Sequence, residues 1–283
     1  MTSVPAMTDP GPSPAGPKHA GRAGVPEIVF LGVPIARLDA RGAADHIAAR
    51  APGQPFAYVV TPNAAQFTRL NELSDPRFHD AYDHAWLRLL DGQVPRMLAR
   101  RLFGLDLPHA AGSDVTLDLL ERQIQPDDPV TLIGGSDELR RRLIERFGLS
   151  TVHLHVPPMG FIRDAAAVEA CVDFVLAHPA RYVFLVAGSP QSEYLARQID
   201  RRGGAVGVGL CVGSALNFAV GLVPRAPSWL RQAGLEWAYR LMRNPVGHAR
   251  RVFVDSAPVL LTALKARRDP ARYGMAPNAT GRG

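Results

Sequence analysis

Apolar and polar positions follow one another along this chain in two registers. Short, almost unbroken apolar runs give way to stretches in which apolar residues return every three or four positions. IVFLGVPIA opens the patterned part, and ADHIAARA after it has helical spacing. PFAYVVTPN, WLRLLDG, VTLIGG, VHLHVPPMG, YVFLVAGSP and AVGVGLCVG are further strand-like runs. Between them AAQFTRLNE, VPRMLARRLFG, ELRRRLIERFG, AAAVEACVDFVLAH and SEYLARQIDRR read as helices. Near-continuous strands separated by helices predict an α/β, Rossmann-like fold, with a mostly parallel sheet covered on both faces. In such sheets ligands gather beyond the carboxyl ends of the strands. Four predicted strand ends carry residues with chemistry: Thr61-Pro62-Asn63, Asp91-Gly92, Gly134-Gly135-Ser136 and Gly188-Ser189-Pro190.

The flanks differ from this body. Residues 1–26 are rich in Pro, Gly, Ala and Ser without periodicity and are expected to be disordered, as is the end from about Tyr273. The α/β domain is expected to occupy 27–223, a helical appendage 224–258, and a helix end with a loose tail 259–283. No apolar stretch of the secretory type stands at the N-terminus. AVGVGLCVGSALNFAVGLV is nearly long enough to cross a membrane, but its glycines and Asn217 argue for a buried segment. Cys171 and Cys211 lie in apolar surroundings and read as buried thiols in a reducing compartment.

Charge changes the picture at one end. The formal net charge is +6, and Pro224–Arg251 supplies five of it, with Arg225, Arg231, Arg240, Arg243, Arg250 and Arg251 against the single acid Glu236. Leu235, Tyr239, Met242, Val246, Ala249 and Phe253 recur there every three or four residues. A basic amphipathic stripe of this kind suits an anionic membrane surface, and the same spacing also suits a helix that closes a core. No aromatic platform with interleaved cations accompanies it, so nucleic acid is not an expected partner.

The strand ends allow several chemistries. Asp91 can take a proton from a ligand hydroxyl or cap the helix that follows, and Gly92 lets a backbone pass close by. Thr61 and Asn63 can bind a sugar or orient a base, and Asn63 can equally cap the next helix. Gly134, Gly135 and Gly188-Ser189-Pro190 feed helix N-termini, where free amides attract anions such as a diphosphate. Gln191, Ser192 and Glu193 fill the first turn after Pro190 and are placed to reach a ribose or a sugar. No Walker loop, GxGxxG, HExxH or GxSxG is present. His153 and His155 alternate on one predicted strand and read as core-edge histidines, and no metal site is expected.

Taken in order, VVTPNAAQF, LLDGQVP, AAGSDVTLDLL, VTLIGGSDELRRRL, VFLVAGSPQSEYL and VGVGLCVGSALNFAVGLVPRAPSWLRQAGLEWAYRLMRNP resemble the WecG/TagA/CpsF glycosyltransferases, glycosyltransferase family 26. The resemblance runs from about Ile28 to Val254. It implies a metal-independent, inverting enzyme without a cofactor, peripheral to the cytoplasmic face of the inner membrane. Such an enzyme moves a sugar from a nucleotide-diphosphate donor, expected to be a UDP-sugar, to a polyprenyl-diphosphate-linked saccharide in exopolysaccharide or cell-envelope synthesis. On this resemblance Asp91 matches the general base, and Thr61 and Asn63 match pocket residues beside it. Gly188, Pro190 and Glu193 match a loop over the donor. The arginine-rich tract matches an appendage that docks on the membrane, and Arg225, Arg231, Arg240 and Arg243 become the expected partners of a diphosphate.

The chain departs from the pattern in places. Ser192 stands where the family carries glutamine, with Gln191 displaced to a nearby position; Asn217 replaces an aspartate, His109 an arginine, and Val94 a small or cyclic residue. A changed donor is one consequence these departures suggest. The other is a weakened family member that serves as a scaffold or regulatory subunit of a polysaccharide assembly system. Self-association is a further expectation, since a greasy tail away from a membrane needs cover.

Overall fold

A computed structural model of the chain describes residues 23–72, 75–224 and 257–275, together with a few single positions between 226 and 242. Arg225, Arg231, Arg240, Arg243 and most of the basic tract lie outside the described residues, as do both terminal tails beyond these limits. Ala23 is already buried against the core, and Arg37 donates its N–H to the Pro26 carbonyl.

IVFLGVPIA is not one strand. Its halves, β1 (Glu27–Phe30) and β2 (Val33–Ala36), pair antiparallel as a small separate sheet. The chain reverses at Leu31 (φ 48°) and Gly32 (φ 83°), two left-handed residues in succession, as a tight hairpin turn requires. Leucine seldom takes that conformation, so the turn is poorly advertised by its sequence.

Among the described residues the main sheet has six strands, all parallel, in the order β4-β3-β8-β7-β5-β6. They are β3 (Ala57–Val60), β4 (Leu87–Arg88), β5 (Val130–Ile133), β6 (Val152–His155), β7 (Tyr182–Leu185) and β8 (Val208–Cys211). Because side chains alternate across a strand, each strand feeds two cores. Tyr58, Val60, Val183 and Leu185 face α2 (Ala64–Asn71), α3 (Pro76–His84), α7 (Ala165–Ala177) and α8 (Gln191–Arg202). Val59, Tyr182, Phe184 and Leu210 face α1 (Ala40–Ala48), α5 (Gly112–Asp118), α6 (Asp137–Phe147) and α9 (Ala215–Ala219). On the first face, α4 (Gln93–Phe103) and the C-terminal helix α10 (Pro258–Arg268) complete the cover.

The strand order creates a crevice. From β5 the chain runs outward through α6 to the edge strand β6. From β7 it runs inward through α8 to β8. Neighbouring strands whose connections part in this way leave an opening at their carboxyl ends, where α/β sheets bind ligands.

Candidate active site

The residues predicted at strand ends fall into two groups on the carboxyl edge of the sheet. The first is built on β3 and β4. The parallel pairing of these strands continues past their ends, with Leu89 N–H donating to Val60 O at 3.0 Å and Asp91 N–H to Pro62 O at 3.0 Å. Asp91 is therefore laced beside Thr61-Pro62-Asn63. On its other side the segment after α4 returns, and Ala110 N–H donates to Leu90 O at 2.9 Å. Gly92 leaves the strand at φ 93°, a conformation that suits glycine, and its N–H donates to His109 Nε2 at 3.2 Å. Asp91 is half-buried; Thr61 is 8% exposed.

Packing at this tip leaves little slack. A Cβ on Gly112 would stand 3.1 Å from Thr61 Oγ1, and one on Gly92 would stand 3.7 Å from Asn63 Cβ. Asn63 is the N-cap of α2. Its Oδ1 accepts the Ala65 N–H at 3.0 Å, while Gln66 Oε1 accepts the Asn63 N–H at 3.2 Å, a reciprocal capping box. The capping role foreseen for Asn63 is thus made by its oxygen, and the Nδ2 group takes no part in it.

The second group lines the crevice between β5 and β7. Gly134 and Gly135 both have positive φ, and a Cβ on Gly134 would stand 3.1 Å from the Val186 carbonyl oxygen. Glycine is required there because the two strand ends approach so closely. Ser136 caps α6 by accepting the Leu139 N–H at 3.2 Å. Gly188 and Ser189 are exposed, the Ser189–Pro190 peptide is cis, and Pro190 and Gln191 are half-buried at the head of α8.

Ser192 and Glu193 turn inward, each only 2% exposed. The Ser192 hydroxyl donates to Glu193 Oε2 at 3.0 Å, and the Glu193 carboxyl also takes bonds from Ser189 and from its own N–H. Burial outweighs these bonds and the nearby Arg69 charge, and raises the Glu193 pKa above the ordinary carboxylate range. Its charge is felt by the buried Tyr82 hydroxyl and the Cys211 thiol, both of which burial pushes further up. The helix N-terminus of α8 therefore already holds a carboxyl group of its own.

β4 and β7 are three strand spacings apart in the sheet, about 14 Å. Asp91 and the Pro190 loop therefore stand apart along the carboxyl edge of the sheet, with the ends of β3 and β8 between them.

Sequence reasoning missed Arg88. It is 1% exposed and donates to the carbonyls of Pro34, Tyr82 and Ala85 and to Glu27 Oε1 at 3.0 Å. These bonds tie the β1–β2 hairpin to β4 three residues before Asp91. The charged residue inside an otherwise apolar run was the available signal. His153 and His155 sit against aromatic rings, with His153 4.5 Å from His178 and His155 5.2 Å from Phe174 between ring centroids. Burial and the neighbouring His178 lower the His153 pKa. Among the described residues no group of three or more His, Cys, Asp or Glu could hold a metal ion, and no helix is long and apolar enough to cross a membrane.

Comparison with known proteins gives this geometry a context. The sequence profile of the glycosyl transferase WecG/TagA/CpsF family matches residues 28–273. The chain is also similar to an N-acetylglucosaminyldiphosphoundecaprenol N-acetyl-beta-D-mannosaminyltransferase of Bacillus spizizenii. The two are 29% identical over 221 residues, which cover 76% of this chain and 82% of the relative. The profile match spans the sheet, the strand-tip residues and α10 together, and by it the chain belongs to the WecG/TagA/CpsF family of glycosyl transferases.

Proposed function

We propose that this chain is an inverting, metal-independent glycosyltransferase. It moves a sugar from a nucleotide-diphosphate donor, a UDP-sugar, to a polyprenyl-diphosphate-linked saccharide in exopolysaccharide or cell-envelope synthesis. It works as a peripheral protein at the cytoplasmic face of the inner membrane. The acceptor class follows the Bacillus spizizenii relative, whose name specifies transfer to a sugar on diphosphoundecaprenol. The observation that carries the reading is the lacing of Asp91 between Pro62 and the returning 109–110 segment, which fixes a half-buried carboxylate on the carboxyl edge of the sheet.

In this reading Asp91 removes the proton from an acceptor hydroxyl as that oxygen attacks the donor's anomeric carbon. The bond from that carbon to the diphosphate oxygen breaks on the opposite face, and the nucleoside diphosphate leaves with the electron pair. One base and one opposed leaving group suffice for inversion. Thr61 and the Asn63 amide border the attacking sugar, and the turns at Gly134, Gly135 and Gly188 admit the donor close to the backbone. Since Ser136 and Glu193 occupy amides of their own helices, charge for the departing diphosphate falls to Arg225, Arg231, Arg240 and Arg243.

The test is sugar transfer from a panel of nucleotide sugars to polyprenyl-diphosphate-linked acceptors, with the chain and its Asp91→Asn variant. The variant is expected to lose about 10³-fold in kcat, with an unchanged circular dichroism spectrum. Equal rates for the two proteins would remove Asp91 from the chemistry. The buried Ser192, bonded to Glu193, favours one other reading, a family member kept as a scaffold. Under it no donor is transferred by either protein.

A further inference from the structure

We propose that His109, neutral and protonated on Nδ1, is a positioning residue that holds the Asp91–Gly92 peptide in place. The proposal rests on the reading of Asp91 as the base. A side chain's direction is set by the two peptide planes that flank its Cα. Both planes around Asp91 are anchored, and one short segment supplies an anchor to each. The Leu90–Asp91 peptide is held through Asp91 N–H to Pro62 O and through Leu90 O, which accepts from Ala110 N–H. The Asp91–Gly92 peptide is held by Gly92 N–H donating to His109 Nε2. Gly92 is also the N-cap of α4 and makes no side-chain capping bond, so the imidazole serves the backbone at the point where the strand becomes a helix.

The direction of this bond fixes the state of the ring. A backbone N–H can only donate, so Nε2 must carry a lone pair and the proton must sit on Nδ1. An imidazolium has two donors and no acceptor. Protonation would set two N–H groups against each other, release the peptide and let the Asp91 carboxylate drift. Arginine, which the resemblance leads one to expect at this position, has donors only and cannot make the bond. The clamp therefore depends on the histidine that this chain carries here. The titratable and charged side chains on the elements that meet here are Arg88 on β4 and Asp91 at its tip, Arg96, Arg100 and Arg101 on α4, Asp106 on the connection to α5, and Asp114 and Asp118 on α5; among the described residues the β3 tip brings none.

Two substitutions separate this role from simple packing. Gln at 109 keeps an acceptor oxygen that does not titrate, and Arg keeps bulk without an acceptor. With the full chain, His109→Gln is expected to lose about threefold in kcat at pH 8, and His109→Arg about 100-fold, with the donor KM little changed. As pH falls, wild type should lose rate faster than His109→Gln, because protonation of the ring removes the acceptor. Spectra of 15N-histidine-labelled protein supply a readout independent of turnover. One ring, absent from His109→Gln, should show an unprotonated Nε2 and a protonated Nδ1 at pH 8. Either an Nε2-protonated ring at pH 8, or equal losses with the same acid limb in both variants, would overturn the proposal. If Asp91→Asn stays active, the base reading fails alone, and the tautomer still reports whether His109 holds the peptide.

Discussion

Glu193 occupies the first turn of α8, where a carboxylate ordinarily offsets the positive end of the helix dipole while facing water. Here it is buried among Ser189, Ser192, Tyr82 and Cys211, and its pKa rises above the reference value of 4.5 chiefly through burial. A carboxyl whose folded-state pKa is raised binds its proton more tightly in the folded chain. The associated stability is complete below pH 4.5 and is lost as pH rises through the folded value. Glu193→Gln keeps an acceptor for the two serines and cannot ionise. Relative to wild type it should gain stability as pH rises from 4 to 8, read from urea midpoints at each pH. A difference that stays flat with pH would show that Glu193 ionises in the fold as it does in water. Nothing in SPQSEYL announces the burial, because glutamate at a helix start reads as solvated. Asp91 and Asn63 were more legible, since Asp91 directly ends an apolar run and Asn63 follows another by three positions, and the sheet puts run ends on one edge. His109 was legible only as a departure from a familiar pattern; its bond to Gly92 joins residues brought together by the return of the chain after α4.

Among the elements, the helices that bear the site depend on one that lies far away in sequence. α10 buries Val259, Ala263 and Ala266 against α2 and α4, the two helices whose N-termini begin at Asn63 and Gly92. Removing residues from Ala257 onward should cost on the order of 3 kcal/mol from this burial. That lowers Tm by roughly 6–12 °C in a domain of this size, and kcat should fall with it as the strand tips lose support. A truncated protein with unchanged Tm and kcat would show that α10 is only an appendix. The sequence gives little notice of this packing. α10's exposed Leu260, Leu261 and Leu264 are as apolar as its buried positions, so periodicity does not name its inner face. α3 was also overlooked. Its apolar Phe78, Ala81 and Tyr82 have helical spacing, but DPRFHDAYDH is dominated by charge, and the signal was the start at Asp75-Pro76, a capping residue followed by proline. The strands were plain throughout, because parallel strands buried on both faces read as unbroken apolar runs.

At the scale of the whole molecule, six similar apolar runs do not encode their own order, so the separation of Asp91 from the Pro190 loop emerges only from the pairing β4-β3-β8-β7-β5-β6. What the chain does declare is its charge asymmetry, with five of its six net positive charges in Pro224–Arg251. If that tract seats the protein on an anionic bilayer, the carboxyl edge of the sheet meets an acceptor whose diphosphate is fixed at the headgroup layer. Truncation after Val223 is a poor probe of this, because it also strips α10 from α2 and α4. Replacing Arg225, Arg231, Arg240 and Arg243 with Gln removes the charge and keeps α10. An arginine near an anionic surface contributes about 1 kcal/mol, so the fourfold variant should bind vesicles containing phosphatidylglycerol on the order of 10³-fold more weakly at 0.1 M salt. Wild type should itself release as salt approaches 1 M, where the screening length falls from about 10 Å to about 3 Å. Co-sedimentation at the two salt concentrations separates the outcomes. Equal binding of both proteins at low salt would assign membrane contact to apolar surface such as Leu260, Leu261 and Leu264. Binding by neither would leave the arginines to the diphosphate alone, and transfer to a short-chain, water-soluble acceptor would then fall in the variant as steeply as transfer to the lipid-linked one.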